Sequence, residues 1–143
     1  MRIKYLKAKH WLLMSLGGLL GLQTSCVCMY GAPEAFYHIK GAVVNPEGEP
    51  VEGIRVAVGD TSNPYYPSDY TDAEGRFHLS HDIGNSTDLD VKVSFYDVDS
   101  TENGHYNDIT VPVHFSKSDF HGGDGDWYDG TAERELSVTL SRK

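Results

Sequence analysis

The stretch Tyr37-His-Ile-Lys-Gly-Ala-Val-Val44, followed by Asn45-Pro-Glu-Gly-Glu-Pro50 and Ile54-Arg-Val-Ala-Val58, decides the fold. Tyr37, Ile39 and Val43 fall on one face, with His38 and Lys40 on the other. This is the period of two of a half-buried strand. The middle segment is dense in turn formers. Ile54, Val56 and Val58 then repeat the alternation.

The same pattern continues outward. Tyr70-Thr-Asp-Ala-Glu-Gly-Arg-Phe77 reads as a hairpin, with Gly75 at a left-handed position. Phe77 and Leu79 point inward. Val91, Val93 and Phe95 alternate with Lys92, Ser94 and Tyr96. Ile109, Val111, Val113 and Phe115 alternate around Pro112, which has no N–H to donate and so marks an edge or a bulge. Leu136, Val138 and Leu140 share one face of the closing strand. Loops are expected at Asp60–Pro67, His81–Ser86, Asp97–Asp108 and Ser116–Gly130. About seven short strands, each apolar on one face and separated by turns, predict a single all-β antiparallel sandwich over residues 37–143.

The beginning of the chain is different. Arg2, Lys4, Lys7 and Lys9 precede the apolar run Trp11–Leu22, which is 12 residues long. A membrane-spanning helix needs about 20, so the run has the length of a signal-peptide core. Residues 1–25 read as an export signal and 26–36 as a membrane-proximal linker. Leu22-Gln-Thr-Ser-Cys26 resembles the bacterial lipobox, which implies acylation of Cys26 after cleavage. Two or three acyl chains would hold a small domain stably on a bilayer. Cys28 is the only other cysteine. With Cys26 acylated, Cys28 is a free thiol, an intermolecular link, a site of modification or a residue merely held near the membrane.

Charge narrows the partners. The chain has 12 Lys and Arg against 21 Asp and Glu, and four of the basic residues precede Cys26. An acidic body repels nucleic acid phosphate, so a nucleic-acid role is not expected. Cations, neutral glycans and other proteins remain as partners.

Gly41 to Val56 together with Tyr70 to Phe77 resembles the carboxypeptidase regulatory-like domain, which implies a transthyretin-like sandwich, usually a non-catalytic accessory. Cys28-Met-Tyr-Gly-Ala-Pro33, Phe95-Tyr-Asp-Val-Asp-Ser-Thr-Glu-Asn-Gly104 and Gly123-Asp-Gly-Asp-Trp-Tyr128 together resemble the radical SAM-associated lipoprotein family. That resemblance implies an anchored envelope protein, on the periplasmic face or cell surface, that works with a radical SAM enzyme or is modified by one.

The acidic loops are the leading candidates for chemistry. Asp97, Asp99, Glu102 and Asp108 lie in one, Asp124 and Asp126 in another. Alternating oxygen donors suit Ca²⁺, while solvation of acidic loops is the preferred explanation. An EF-hand counted from Asp124 fails at Tyr128 and Asp129. His78 and His81 would face opposite sides of a strand and make no ready zinc pair. Tyr65, Tyr66, Tyr70, Tyr106, Trp127 and Tyr128 are expected in loops, as binding platforms or, for Trp127, as a plug at one end of the core. No nucleophile elbow or phosphate-cradling loop is present. The expectation is a lipid-anchored, non-enzymatic binding or accessory module; a maturase substrate and a structural subunit of a surface assembly are the alternatives.

Overall fold

The computed structural model describes residues 31–59, 62–99 and 102–143. The export signal, Cys26 and Cys28 lie outside the described residues. Among the described residues seven strands form two sheets: β1 (Glu34–Val44), β2 (Ile54–Val58), β3 (Ser68–Tyr70), β4 (Arg76–Asp82), β5 (Leu89–Asp97), β6 (Ile109–Phe115) and β7 (Tyr128–Thr139). One sheet has the order β4-β1-β7, the other β3-β2-β5-β6. Among the described residues no helix is long and apolar enough to cross a membrane.

The two sheets bury their apolar faces against each other. Tyr37, Ile39 and Val43 of β1 and Phe77 and Leu79 of β4 meet Ile54, Val56, Val93, Phe95 and Phe115 of the other sheet in one core. Phe77 and Phe95 pack edge to face with ring centres 5.4 Å apart. Tyr37 stacks on Phe115 at 5.2 Å. Aromatic pairs of this geometry contribute beyond their buried area. The alternation read from sequence thus places these side chains inward. Pro112 sits on β6, an edge of its sheet, where its missing N–H costs no ladder bond.

Three features depart from the expected layout. First, β1 starts at Glu34, inside the expected linker, because the Glu34 amide donates to the Trp127 carbonyl at 2.7 Å and the strand then follows β7. Second, β1 and β7 run parallel, from Glu34 beside Tyr128 to Val44 beside Thr139, while the other pairs are antiparallel. Third, Tyr70–Phe77 is not a hairpin within one sheet. β3 pairs with β2 and β4 with β1, so the turn carries the chain from one sheet to the other. The turn itself closes as expected: Gly75 has φ +72°, and the Asp72 carboxylate accepts the Glu74 and Arg76 amides at 3.0 and 2.8 Å.

Candidate functional site

The outer face of the β4-β1-β7 sheet carries a concentration of charge. Strand alternation that sends Tyr37, Ile39, Phe77 and Leu79 inward sends His38, Lys40, Arg76 and His78 outward. Glu133 and Glu135 of β7 pair in register with His38 and Lys40. Lys40 donates to Glu133 at 3.0 Å. That bond, ahead of the charges of Lys40, His38 and His78, holds the Glu133 carboxyl below its usual range. Next to this cluster the face is hollowed into a groove of about 540 Å³, bordered by Lys40, Ala42, Arg76, Glu135 and Ser137. Gly41, which has no side chain, also lines it. A Cβ there would lie 1.9 Å from the Leu136 carbonyl oxygen, so only glycine lets β1 and β7 approach this closely. The groove offers two cations, one carboxylate and a hydroxyl to a polar ligand.

The two acidic loops occupy opposite ends of the sandwich. Asp97 ends β5 near the last turn of the chain, since Tyr106 bridges to Arg142 beyond the end of β7. Asp124 and Asp126 precede the start of β7. They are therefore two separate groups, and no single ion can draw on both. In the first, Asp97 accepts the Tyr106 amide at 2.7 Å and Asp99 lies over Gly53. Desolvation, then the hydrogen bond and charge of Asp97 and the charge of Glu102, push the Asp99 carboxyl up. Asp108 is exposed at the end of this loop. In the second, Asp124 accepts the amides of Asp126 and Tyr128, each at 2.9 Å. These bonds lower the Asp124 pKa and make it the loop's own brace. Among the described residues no three His, Cys, Asp or Glu side chains are gathered as a formed metal centre.

The aromatics divide. Tyr106 is buried, against the loop-platform expectation, because its hydroxyl donates to the Asn103 carbonyl at 3.0 Å while its ring joins the core. Trp127 is 46% exposed and does not plug the core; Phe115 and Phe120, 6.4 Å apart, pack together in that core instead. Tyr65, Tyr66 and Tyr70 are exposed around β3. Tyr66 also packs on His81 at 5.9 Å, and His81 on the buried Tyr37 at 5.6 Å.

His78 and His81 do face opposite sides. The sequence reading missed the partner of His78, which is His38: His78 Nε2 and His38 Nδ1 are 3.2 Å apart. Both histidines alternate with inward residues, so their common face was readable. Their adjacency depends on β1 pairing with β4, which the alternation alone does not specify.

No family model matches the chain, and no curated protein matches it. Solved structures do. Catechol 1,2-dioxygenase from Pseudomonas arvilla C-1 is similar with a TM-score of 0.50 at 13% identity, over 79% of this chain and 54% of that one. Hydroxyquinol 1,2-dioxygenase from Pseudomonas putida DLL-E4 also gives 0.50, at 10% identity, over 80% and 58%. The chain thus spans little more than half the length of either dioxygenase. 5-Hydroxyisourate hydrolase from Klebsiella pneumoniae gives 0.47 at 10% identity, over 75% and 91%. At these identities the likeness concerns the fold alone: the chain is an all-β sandwich of two sheets.

Proposed function

We propose that the protein is a lipid-anchored, non-catalytic envelope module, tethered through Cys26, whose sandwich presents the outer face of the β4-β1-β7 sheet to a polar ligand or protein partner. The observation that carries this reading is the position of β1. It begins at Glu34, eight residues after Cys26. A fully extended segment of that length reaches at most about 28 Å, so the acyl chains would keep the domain close to the lipid surface. The groove, with Lys40 and Arg76 on its border, is a concave polar surface of that domain. A non-catalytic role is supported by how the carboxylates are used: Asp119 and Asp124 are lowered chiefly by backbone amides of their own loops, which is a structural task. The radical SAM resemblance supplies the partner in this reading, an enzyme of that class acting in the same system.

Metabolic labelling with a fatty acid tests the anchor. Label is expected on the wild-type protein and is expected to vanish in Cys26→Ala. Label that persists in Cys26→Ala, or is absent from the wild type, overturns the proposal.

A further inference from the structure

The imidazoles of half-buried His38 and exposed His78 meet across two strands. β1 and β4 pair with His38 opposite Ser80 and Lys40 opposite His78, so the two histidines are diagonal neighbours on one face. Such positions are within reach of aromatic and long side chains. Here the rings stack with centres 5.2 Å apart at 21°, and the nearest ring nitrogens are 3.2 Å apart.

That separation has a chemical meaning. Two imidazole nitrogens on one tetrahedral zinc, each about 2.0–2.1 Å from the metal, stand roughly 3.3 Å from each other. We infer that His38 Nδ1 and His78 Nε2 form a chelating pair for a divalent transition metal, zinc being the simplest case, with Glu133 as the third ligand. Glu133 is next to His38 on the β7 side. In the present arrangement that carboxylate is held by Lys40, so the three donors are not yet gathered around one point. The Lys40–Glu133 pair is open to water, with half or more of each side chain exposed. Exposed pairs of this kind contribute little and exchange readily. A metal can therefore take Glu133 from Lys40, and the open face leaves water for the remaining position.

Two imidazoles and one carboxylate suit zinc, copper or nickel rather than calcium or magnesium, which favour all-oxygen sets. The strands on both sides of His38 fix the spacing of the donors, which lowers the ordering cost of binding. The site uses neither acidic loop and does not depend on the acyl anchor.

The test is calorimetric titration of the full chain, in detergent micelles, with zinc chloride, accompanied by thermal melting. One saturable zinc event that raises Tm is expected, with no equivalent response to calcium chloride. Losing an outer-shell partner of a metal ligand costs about 10–100-fold in affinity, and losing a ligand costs at least as much. His38→Gln and His78→Gln are therefore each expected to weaken zinc binding tenfold or more. Both positions are on the surface face of the sheet, so the variants should keep the wild-type circular dichroism. Glu133→Gln is expected to weaken binding as well, and His121→Gln, at an exposed bridge near β7, to leave it unchanged. No saturable zinc binding, or zinc binding unchanged in His38→Gln or in His78→Gln, overturns the site. Unchanged binding in Glu133→Gln overturns the three-ligand assignment.

Discussion

The buried hydroxyl of Thr71 donates to the carbonyl of Val51 at 2.7 Å and accepts the Ile54 amide at 3.0 Å. One oxygen thereby ties the entry of β2 to the exit of β3. The Thr71 amide also donates to the Ile54 carbonyl, so the segment is closed on both sides where the chain leaves one sheet for the other.

Thr71→Val keeps the shape and removes that oxygen. It strands a buried amide and a buried carbonyl, each costing about 1–3 kcal/mol. A fall of that order in unfolding free energy is expected in urea, with the slope unchanged. Thr71→Ser should recover most of it, since the oxygen returns.

Gly41→Ala should be costly despite adding one carbon. Its Cβ would meet the Leu136 carbonyl oxygen at 1.9 Å, and backbone on both strands would have to move. Overpacking of this kind costs about 1–3 kcal/mol. Thermal melting checks the loss. Amide exchange is expected to accelerate along β1 and β7 first.

Alkaline pH should weaken the fold through Tyr37. Burial first, and then the neighbouring Tyr66, push its phenol up to about 12. The unfolded chain loses that proton near pH 10, so between about 10 and 12 the folded state binds more protons and stability falls as pH rises. The loss approaches about 2–3 kcal/mol at the upper end. Tyr37→Phe should flatten this limb in denaturation curves recorded from pH 9 to 12.

Acid should weaken it by the opposite sign. The Ser116 amide, followed by the Ser116 hydroxyl and Arg134, lowers the Asp119 pKa. A depressed carboxyl contributes stability above its unfolded pKa, which is lost as pH falls through the folded value. Asp119→Asn is expected to lower Tm at pH 7 and to narrow the gap from wild type as pH drops below 4. A gap that stays constant from pH 7 to pH 3 would count against this account.

Period-two alternation carried most of the fold. Ile54, Val56, Val93, Phe95, Val113 and Phe115 all lie where it places them, because a strand covered on one face admits one register of apolar residues. Alternation assigns a face but not a neighbour. The parallel β1–β7 pair, the sheet change after Thr71 and the meeting of His38 with His78 all concern neighbours, and none was legible. Tyr106 was hidden for another reason. It stands alone in a polar stretch with no period, and is drawn inward by bonds to Asp97 and Asn103 rather than by a pattern. The acidic loops were legible as composition, yet Asp124 turned out to brace its own turn.

The parallel pairing of β1 with β7 also governs how the domain would take a pull. β1 is entered at Glu34 and β7 is left at Thr139, at opposite ends of the same ladder. Tension applied between Gly31 and Lys143 would slide one strand along the other and load their cross-links together rather than peel them one at a time. A domain held at one terminus and tugged at the other would thus resist extension through its first and last strands, and they would yield as a unit.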